Sequence, residues 1–509
     1  MGKVYSNRLS EYAGENGGRE LLLFLLFMMA IFQFVNAGFP AFAIICISPL
    51  LVFAVYILFK WRMSAFWALI FFNYFIQMHD FPAIIPISLW NESLEIILIS
   101  IAIIDARQTP QFGRCANLML FALIIWCTFC TLQVLNDTCD LGIDIGSWYT
   151  GARMMAFQIL YAFIVFSIYI NSPKLLINYL RFWAVLSLFS AFWTWKQIHI
   201  GLTPVENAFL YGPGSRTHLL NAGTLIRYFS TFSDAANYGC NAAAAAVTFI
   251  IITITSKITW ERLFFGIVSA CVIWGMFQSG TRTAIFTLGA GLATFVVLSK
   301  SVKIAVPFSI AFVLFAFILV FTNIGQGNQQ IRRMRSAFNK DDASANVRDI
   351  NKAAISKYLK DAPWGIGIGS NQANIPANNK FRKLSDIPPD SEYVYIWVHT
   401  GVIGLTVFII TTLMMWLGAC WITMFKLKNR SLMGIGAGLC GAFVAIQLGG
   451  YANQVLMQFP NCLTFYGGLT IVYILPYLEP EWIKYEEQRL AKQEERKRLK
   501  LEKKLASRV

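Results

Sequence analysis

Residues 388–422 read "PPDSEYVYIWVHTGVIGLTVFIITTLMMWLGACWI": two prolines, two acids, then a run almost without charge. Proline cannot continue a helix, and it biases the residue before it away from helical geometry. A helix is therefore expected to start at about Asp390, with Asp390 as its N-cap. The apolar stretch 392–422 exceeds the roughly 20 residues needed to cross a hydrocarbon core of about 30 Å. Glu392 and His399 are the only acidic or basic residues within it.

The same pattern recurs along the chain. Apolar runs cover 20–37, 40–59, 63–78, 92–105, 115–133, 153–171, 174–194, 235–255, 261–279, 281–299, 303–323, 392–422, 432–450 and 461–477. Only helices and closed barrels satisfy their backbone groups in lipid. Barrel strands would read as short alternating segments, whereas these runs are continuous. The fold class is therefore all-α: a polytopic membrane protein with about fourteen transmembrane helices. Composition agrees, since 57% of residues are hydrophobic and 14% charged, against about 25% charged in soluble domains.

A net charge of +15 would suit nucleic acid, but most Lys and Arg flank the apolar runs, so no nucleic-acid partner is expected. The ten cysteines are scattered, without a Cys/His cluster at zinc spacing. They read as small core residues, and neither a metal nor a cofactor is expected. The first run begins near Glu20, after a polar stretch lacking a small-residue cleavage signal, and reads as a retained span.

Basic residues in short loops set the orientation. Lys3, Arg8 and Arg19 precede the first span, and Lys60 and Arg62 follow the second. Arg107 and Arg114 follow the fourth, Lys174 and Arg181 flank the sixth and seventh, and Lys257 and Arg262 follow the eighth. Lys300 and Lys303 follow the tenth, and Lys426, Lys428 and Arg430 the twelfth. With fourteen spans all of these fall on one side, the cytoplasm, together with both termini. The expected organisation is spans one to eleven in 1–323, a large extracytoplasmic loop with short helices in 324–391, spans twelve to fourteen in 392–478, and a charged helical tail in 479–509. The tail's Glu/Lys pairs about four apart support a solvated helix.

The outer loop is basic. Arg332, Arg333, Arg335, Lys340, Arg348, Lys352, Lys357, Lys360, Lys380, Arg382 and Lys383 stand against six aspartates, which suits an anion such as a phosphate. Its stretch 349–361 has helical spacing that puts Ile350, Ala354 and Tyr358 on one side, a face for the membrane surface. "DAPWGIGIGSNQ", 361–372, carries glycines that permit a close backbone turn.

Ionisable residues at or inside spans are candidate sites because they are costly there. Arg282, in "SGTRTA", opens a span at its outer end, where free N–H groups and the helix dipole favour an anion. Its guanidinium can grip phosphate oxygens bidentately. Arg227 lies in "RYFSTFSDAANYG" before another span, with Ser233 or Asp234 as the expected N-cap. At the opening stretch, Glu392, Tyr395 and His399 share one helical face. Asp390 and His399 lie nine residues apart, about 900° of turn, so they point to opposite sides.

These motifs, in this order, resemble the O-antigen ligase/polymerase superfamily of bacterial membrane glycosyltransferases. Asp390-Ser391-Glu392-Tyr393-Val394 fits the family's His-Asn-x-Tyr-Leu or Asp-Asn-x-Tyr pattern. His399, Gly401 and Gly404 fit the following Glu-x-Gly-x-x-Gly, with His399 where Glu is usual. "QSGTRTAIFTLGAG" is similar to its Ser-x-Ser-Arg pattern and "APWGIGIGSN" to its Pro-Leu-x-Gly-x-Gly turn. "RYFSTFSDAANYG" is similar to Gly-x-Phe-x-(Asp/Asn)-Pro-Asn, with alanine for proline. The resemblance covers roughly 227–410.

It implies a GT-C-like helical fold and metal-independent glycosyl transfer on the outer face of the bacterial inner membrane. It also implies an undecaprenyl-pyrophosphate-linked oligosaccharide as donor and as acceptor. Catalytic roles would fall to Asp390, Glu392 and Arg282, and substrate binding to Arg227, Arg282, Arg348, Tyr393 and His399. Asp390-Ser391 in place of His-Asn favours a polysaccharide polymerase over a ligase to lipid A core. A chain-length regulator and a flippase would be its partners. The competing class is a lipid-linked oligosaccharide flippase, which should carry midplane charges and repeated halves. Here the ionisable residues cluster at outer ends and no repeat is visible.

Overall fold

The protein's computed structural model describes residues 18, 21–29, 31–32, 35, 52–53, 56–57, 60–79, 87–105, 112–212, 218–220, 225–327, 329–335, 343–371 and 373–506. The expected second span, 40–59, lies largely outside them. By internal contacts the chain divides into residues 1–65 and 66–509, with the boundary inside the helix Arg62–Phe75. In the first unit, helix is described over 21–29 with its apolar side chains exposed.

Eight helices among the described residues are long and apolar enough to cross a membrane: Leu118–Leu135, Ile145–Tyr169, Pro173–His199, Ala235–Thr255, Thr259–Gln278, Glu392–Lys426, Arg430–Ala452 and Cys462–Lys500. Each matches an expected span, and the protein is an integral membrane protein. Helices also cover Ile87–Ile104, Thr283–Leu298 and Val302–Phe321, and the third expected span is the 14-residue helix Arg62–Phe75. The described residues do not supply the expected count of fourteen. Among the described residues the fold is helical except for one antiparallel ladder, Leu219–Leu220 with Leu225–Ile226.

Helix boundaries follow from capping chemistry. Asp234 accepts from Ala236 N and Asn237 N, and Ser172 and Asn429 cap their helices in the same way. At the opening stretch, Ser391 is the N-cap and accepts from Val394 N at 3.2 Å. The expectation that Asp390 caps is therefore corrected by one residue, and its carboxylate is left for other work.

Small residues bring the helices of the second unit together. Ala242–Ala246 of Ala235–Thr255 are all buried, and this helix packs against Thr259–Gln278, Thr283–Leu298 and Arg430–Ala452. The last two cross at a pair of glycines. A Cβ on Gly291 would stand 2.9 Å from Gly441 O, and one on Gly441 would stand 2.6 Å from Gly291 O. Such small-residue contacts let backbones approach where lipid supplies no hydrophobic drive.

The segment 343–391 has a core of its own. Ile355, Leu359, Ala362, Ile366, Ile375, Phe381 and Leu384 are buried together with Cys139 and Val398. The helix Ala343–Leu359, at 17 residues, is longer than expected. Ile350 is 67% exposed, whereas Ile355 and Leu359 face the core.

The glycine run docks on a break in the long span. Inside Glu392–Trp421, Gly401 has φ +69° and ψ −173°. That break frees main-chain groups, and Ile366 N donates to Val398 O at 2.9 Å and Gly367 N to His399 O at 3.1 Å. A Cβ on Gly365 would lie 2.4 Å from Gly401 N, and one on Gly401 would lie 2.0 Å from Pro363 O. Only glycine fits at either position, on both space and conformation.

The other end of the unit collects the short basic loops. Glu261 receives Arg181 at 3.0 Å and Arg489 at 2.6 Å, and Glu486 receives Lys257 at 2.9 Å. Glu479 accepts from Lys428 N and Asn429 N. The helix Gly467–Ala506 runs unbroken from the last span into the tail. The tail's first turns are thus clasped to the loops, and solvation begins beyond Gln493, which accepts from Thr259 N.

Candidate functional site

The turn Ser279–Thr283, between Thr259–Gln278 and Thr283–Leu298, is built to be approached closely. Gly280 has φ +58°, and a Cβ there would stand 3.2 Å from Arg227 Cγ and 3.3 Å from Arg333 Cδ. Arg227 donates to Ser279 O at 3.3 Å and to Thr281 Oγ1 at 3.0 Å. Arg333, from the short helix Gln329–Arg335, donates to Gly280 O at 2.7 Å. Arg282 follows at the N-cap position of the next helix. Arg348 donates to Asn453 Oδ1 at 3.4 Å, and Asn453 in turn donates to Thr283 Oγ1 at 3.4 Å.

Four arginines from four segments therefore converge on one turn. Burial pulls the Arg227 guanidinium down from its usual range; Asp234 opposes this, while Arg282 and Arg348 add to it. Like charges within reach of one another cost energy unless an anion joins them.

Beside this cluster lies a cavity of about 760 Å³, between the helix Ala343–Leu359 and the spans Glu392–Lys426 and Arg430–Ala452. Its polar mouth includes Arg348, Asn351, Lys352, Asp390 and Tyr393. Its floor is apolar, with Leu405, Ile409, Leu413, Trp416, Phe443 and Leu448. Asn351 Nδ2 donates to Asp390 Oδ2 at 2.8 Å. Tyr393 OH donates to Gln447 Oε1 at 2.9 Å. The main-chain oxygen of Pro389 accepts from Gln454 Nε2, which ties the start of the span to the segment after Arg430–Ala452.

The structure thus brings Arg227, Arg282 and Arg348 together, and lines one cavity with Arg348, Asp390 and Tyr393. Glu392 and His399 stand apart from that lining. Glu392 is 3% exposed, and its carboxylate accepts from Leu456 N at 3.0 Å. His399 is 8% exposed, and its ring meets that of Tyr395 at 4.5 Å with a tilt of 57°. Its Nδ1 pairs with Gly367 O at 3.0 Å, and because a carbonyl only accepts, Nδ1 carries the hydrogen. Both hold backbone segments in place.

Sequence reasoning placed Arg333 and Lys352 only among the basic residues of the long loop, and passed over Asn351 and Asn453. A signal existed for Lys352, because Arg348, Lys352 and Ile355 recur at i, i+4 and i+7 and so share a face. No local signal marks Arg333 or Asn453, whose partners lie 53 and 170 residues away. Among the described residues no group of three or more His, Cys, Asp or Glu could hold a metal ion.

Residues 267–409 match the family model described as O-antigen ligase. No curated protein matches the chain. The matched segment contains Arg282, Arg333, Arg348, Asp390 and the glycine run with its docking break, whereas Arg227 lies before it.

Proposed function

With residues 267–409 matching the family model described as O-antigen ligase, we propose that the protein transfers a glycan from a polyprenyl-pyrophosphate carrier to the hydroxyl of a second glycan. The observation that carries this reading is the convergence of Arg227, Arg282 and Arg348 on the 279–283 turn, next to a cavity with a polar mouth and an apolar floor. The donor is undecaprenyl pyrophosphate-linked oligosaccharide, which has the same division: charge at the interface, prenyl chain in lipid, sugar in water.

In this reading Asp390 takes the proton of the acceptor hydroxyl as its oxygen attacks the anomeric carbon. The bond from that carbon to the pyrophosphate oxygen breaks, and the carrier leaves with the electron pair. The arginines hold the pyrophosphate and offset the charge that grows on it, which is transition-state stabilisation by pre-placed donors. Arg333 joins them. Glu392 and His399 act through structure, and Tyr393 contacts substrate from the cavity wall. No divalent ion takes part. The site lies on the extracytoplasmic side of the bacterial inner membrane, and both termini are cytoplasmic.

The polymerase reading takes a second lipid-linked repeat unit as acceptor. Asp390-Ser391, where ligases carry His-Asn, favours it over transfer to lipid A core. The test is incubation of the purified protein with a lipid-pyrophosphate oligosaccharide in excess chelator. Polymer longer than one repeat is the expected product. Transfer seen only when lipid A core is added would make it a ligase. No transfer to either acceptor, with donor merely moved across vesicles, would favour a flippase.

A further inference from the structure

Between Arg430–Ala452 and the last span the chain leaves the helix over residues 453–460. Val455, Leu456 and Phe459 of this stretch are buried. Irregular main chain inside a membrane protein is tolerated where its polar groups are met within the protein. Here side chains from three spans meet them. Glu392 accepts from Leu456 N at 3.0 Å. Asn461 Nδ2, at the start of the last span, donates to Val455 O at 2.7 Å, and Asn237 Nδ2 donates to Phe459 O at 3.0 Å. Asn461 Nδ2 also reaches Asn237 Oδ1 at 2.7 Å, and Asn241 Nδ2 donates to Asn461 Oδ1 at 2.8 Å. All three asparagines are buried. A buried polar network whose members are satisfied rigidifies what it holds.

This stretch reaches three parts of the site. Its first residue, Asn453, accepts from Arg348 Nη2 and donates to Thr283 Oγ1, both at 3.4 Å, and so joins the helix Ala343–Leu359 to the arginine turn. The next, Gln454, donates from Nε2 to Pro389 O, one residue before Asp390. Further along, Gln458 Oε1 accepts from Ser233 Oγ at 2.8 Å, next to Asp234, whose charge acts on Arg227. Neither Asn453 nor Gln454 lines the cavity. They stand behind it, on the groups that carry Arg348 and Asp390.

Transfer requires the base and the pyrophosphate to be held at a fixed separation, and a misplacement of about 1 Å can cost about 10²-fold in rate. Asp390 precedes Glu392–Trp421, Arg348 belongs to Ala343–Leu359, and Arg282 opens Thr283–Leu298. No single helix sets their spacing, whereas residues 453 and 454 bond to all three elements at once.

We propose that residues 453–458 are a positioning strap that sets the Asp390 carboxylate against the arginine cluster, with Asn453 acting on the pyrophosphate side and Gln454 on the base side. The assignment rests on the transfer reading above. Without the Asn453 amide, Arg348 loses its tie to the arginine turn and grips the donor less well. Without the Gln454 amide, Pro389 O loses its donor, and Asp390 drifts from the attacking hydroxyl while the pyrophosphate site keeps its shape.

The test compares Asn453→Leu and Gln454→Met, which keep approximate size and remove the hydrogen bonds, with the unaltered protein. Competent sites are first counted by saturation with radiolabelled undecaprenyl pyrophosphate. Turnover of a lipid-pyrophosphate oligosaccharide is then expressed per competent site, so the comparison stays valid where a variant folds poorly. Asn453→Leu should raise the dissociation constant of the carrier by about 10-fold, the loss expected from one hydrogen bond to a charged group. Gln454→Met should lower turnover per competent site by about 10- to 100-fold and leave that dissociation constant within about two-fold. A segment that only supports the fold would give fewer competent sites and a lower Tm, with both constants per site unchanged, and that result would overturn the strap alone. Absence of transfer by the unaltered protein, with carrier still bound, would overturn the transfer reading and the strap with it.

Discussion

Arg282 tests whether the cluster grips a pyrophosphate or merely anchors a helix. A lysine would anchor equally well, because both side chains reach the headgroups, but a point charge cannot copy a planar bidentate grip. Charge-assisted hydrogen bonds contribute about 1.5–3 kcal/mol each. Losing one or two that strengthen in the transition state would slow turnover by about 10- to 10⁴-fold, at about 1.4 kcal/mol per decade. Arg282→Lys should therefore express normally, bind donor more weakly and lose most polymer synthesis; near-normal polymer would reduce it to an anchor. Asp390→Asn should abolish turnover and leave donor binding within a few-fold, as measured by retention of radiolabelled carrier lipid. These residues were legible before the fold because an ionisable group at the end of a span is rare and expensive. Arg333 and Asn453 were not, since nothing near them in sequence announces a partner on another helix. Glu392 was legible as unusual, yet its setting is a carboxylate that holds the main chain at Leu456.

At the level of elements, the glycine run 365–369 and the break at Gly401 form one device. Both sides needed the other to be understood: periodicity reads 392–422 as an uninterrupted helix, and only the docked loop shows why it opens at 401. Gly401→Ala would place a methyl against Pro363 O in a conformation with φ +69°. Strain of that kind costs about 1–3 kcal/mol, before the steric clash. The expected outcome is a protein that inserts but whose 361–372 segment is cut by protease several-fold faster, with polymer synthesis falling in parallel. Unchanged protection would mean that the loop holds by its other contacts, among them Asn136 Nδ2 to Trp364 O at 2.9 Å. The helix Ala343–Leu359 teaches a related lesson. Its existence was evident from spacing, but its buried face was not, because polar Arg348 and Lys352 share that face with Ile355 and serve a cavity rather than water.

Across the whole molecule, the two ends of the second unit are chemically distinct. Arginines and the folded segment 343–391 gather at one end, and short basic loops with the C-terminal helix at the other. A cysteine placed at Lys380 should react with a membrane-impermeant thiol reagent in intact cells, and one at Arg498 should not; reversed labelling would put the arginine cluster on the wrong side for a lipid-linked donor. The clasp on Glu261 makes a further prediction. A chain stopped after Gln493 should melt as the full chain does, whereas one stopped after Leu478 loses the Arg489 and Glu486 pairs and should melt several degrees lower. The membrane class and the span order were clear from composition and run length, because lipid imposes them on every segment alike. The contacts between spans were hidden, because glycine and alanine carry no label for the partner they will meet.

The cavity's shape bears on what could block it. Its mouth is charged, its floor is lined by Leu405, Ile409, Leu413 and Leu448, and Ile409 and Leu413 remain partly open at the outer surface of the spans. A water-soluble sugar pyrophosphate would occupy only the mouth and forgo the apolar contacts, each buried methylene of which contributes about 0.8 kcal/mol. Competitive inhibitors of this protein should accordingly be surfactant-like, with potency that climbs as an isoprenoid tail is lengthened and levels off once the floor is filled. Medicinal chemistry that starts from the headgroup alone would begin at the weaker half of the site.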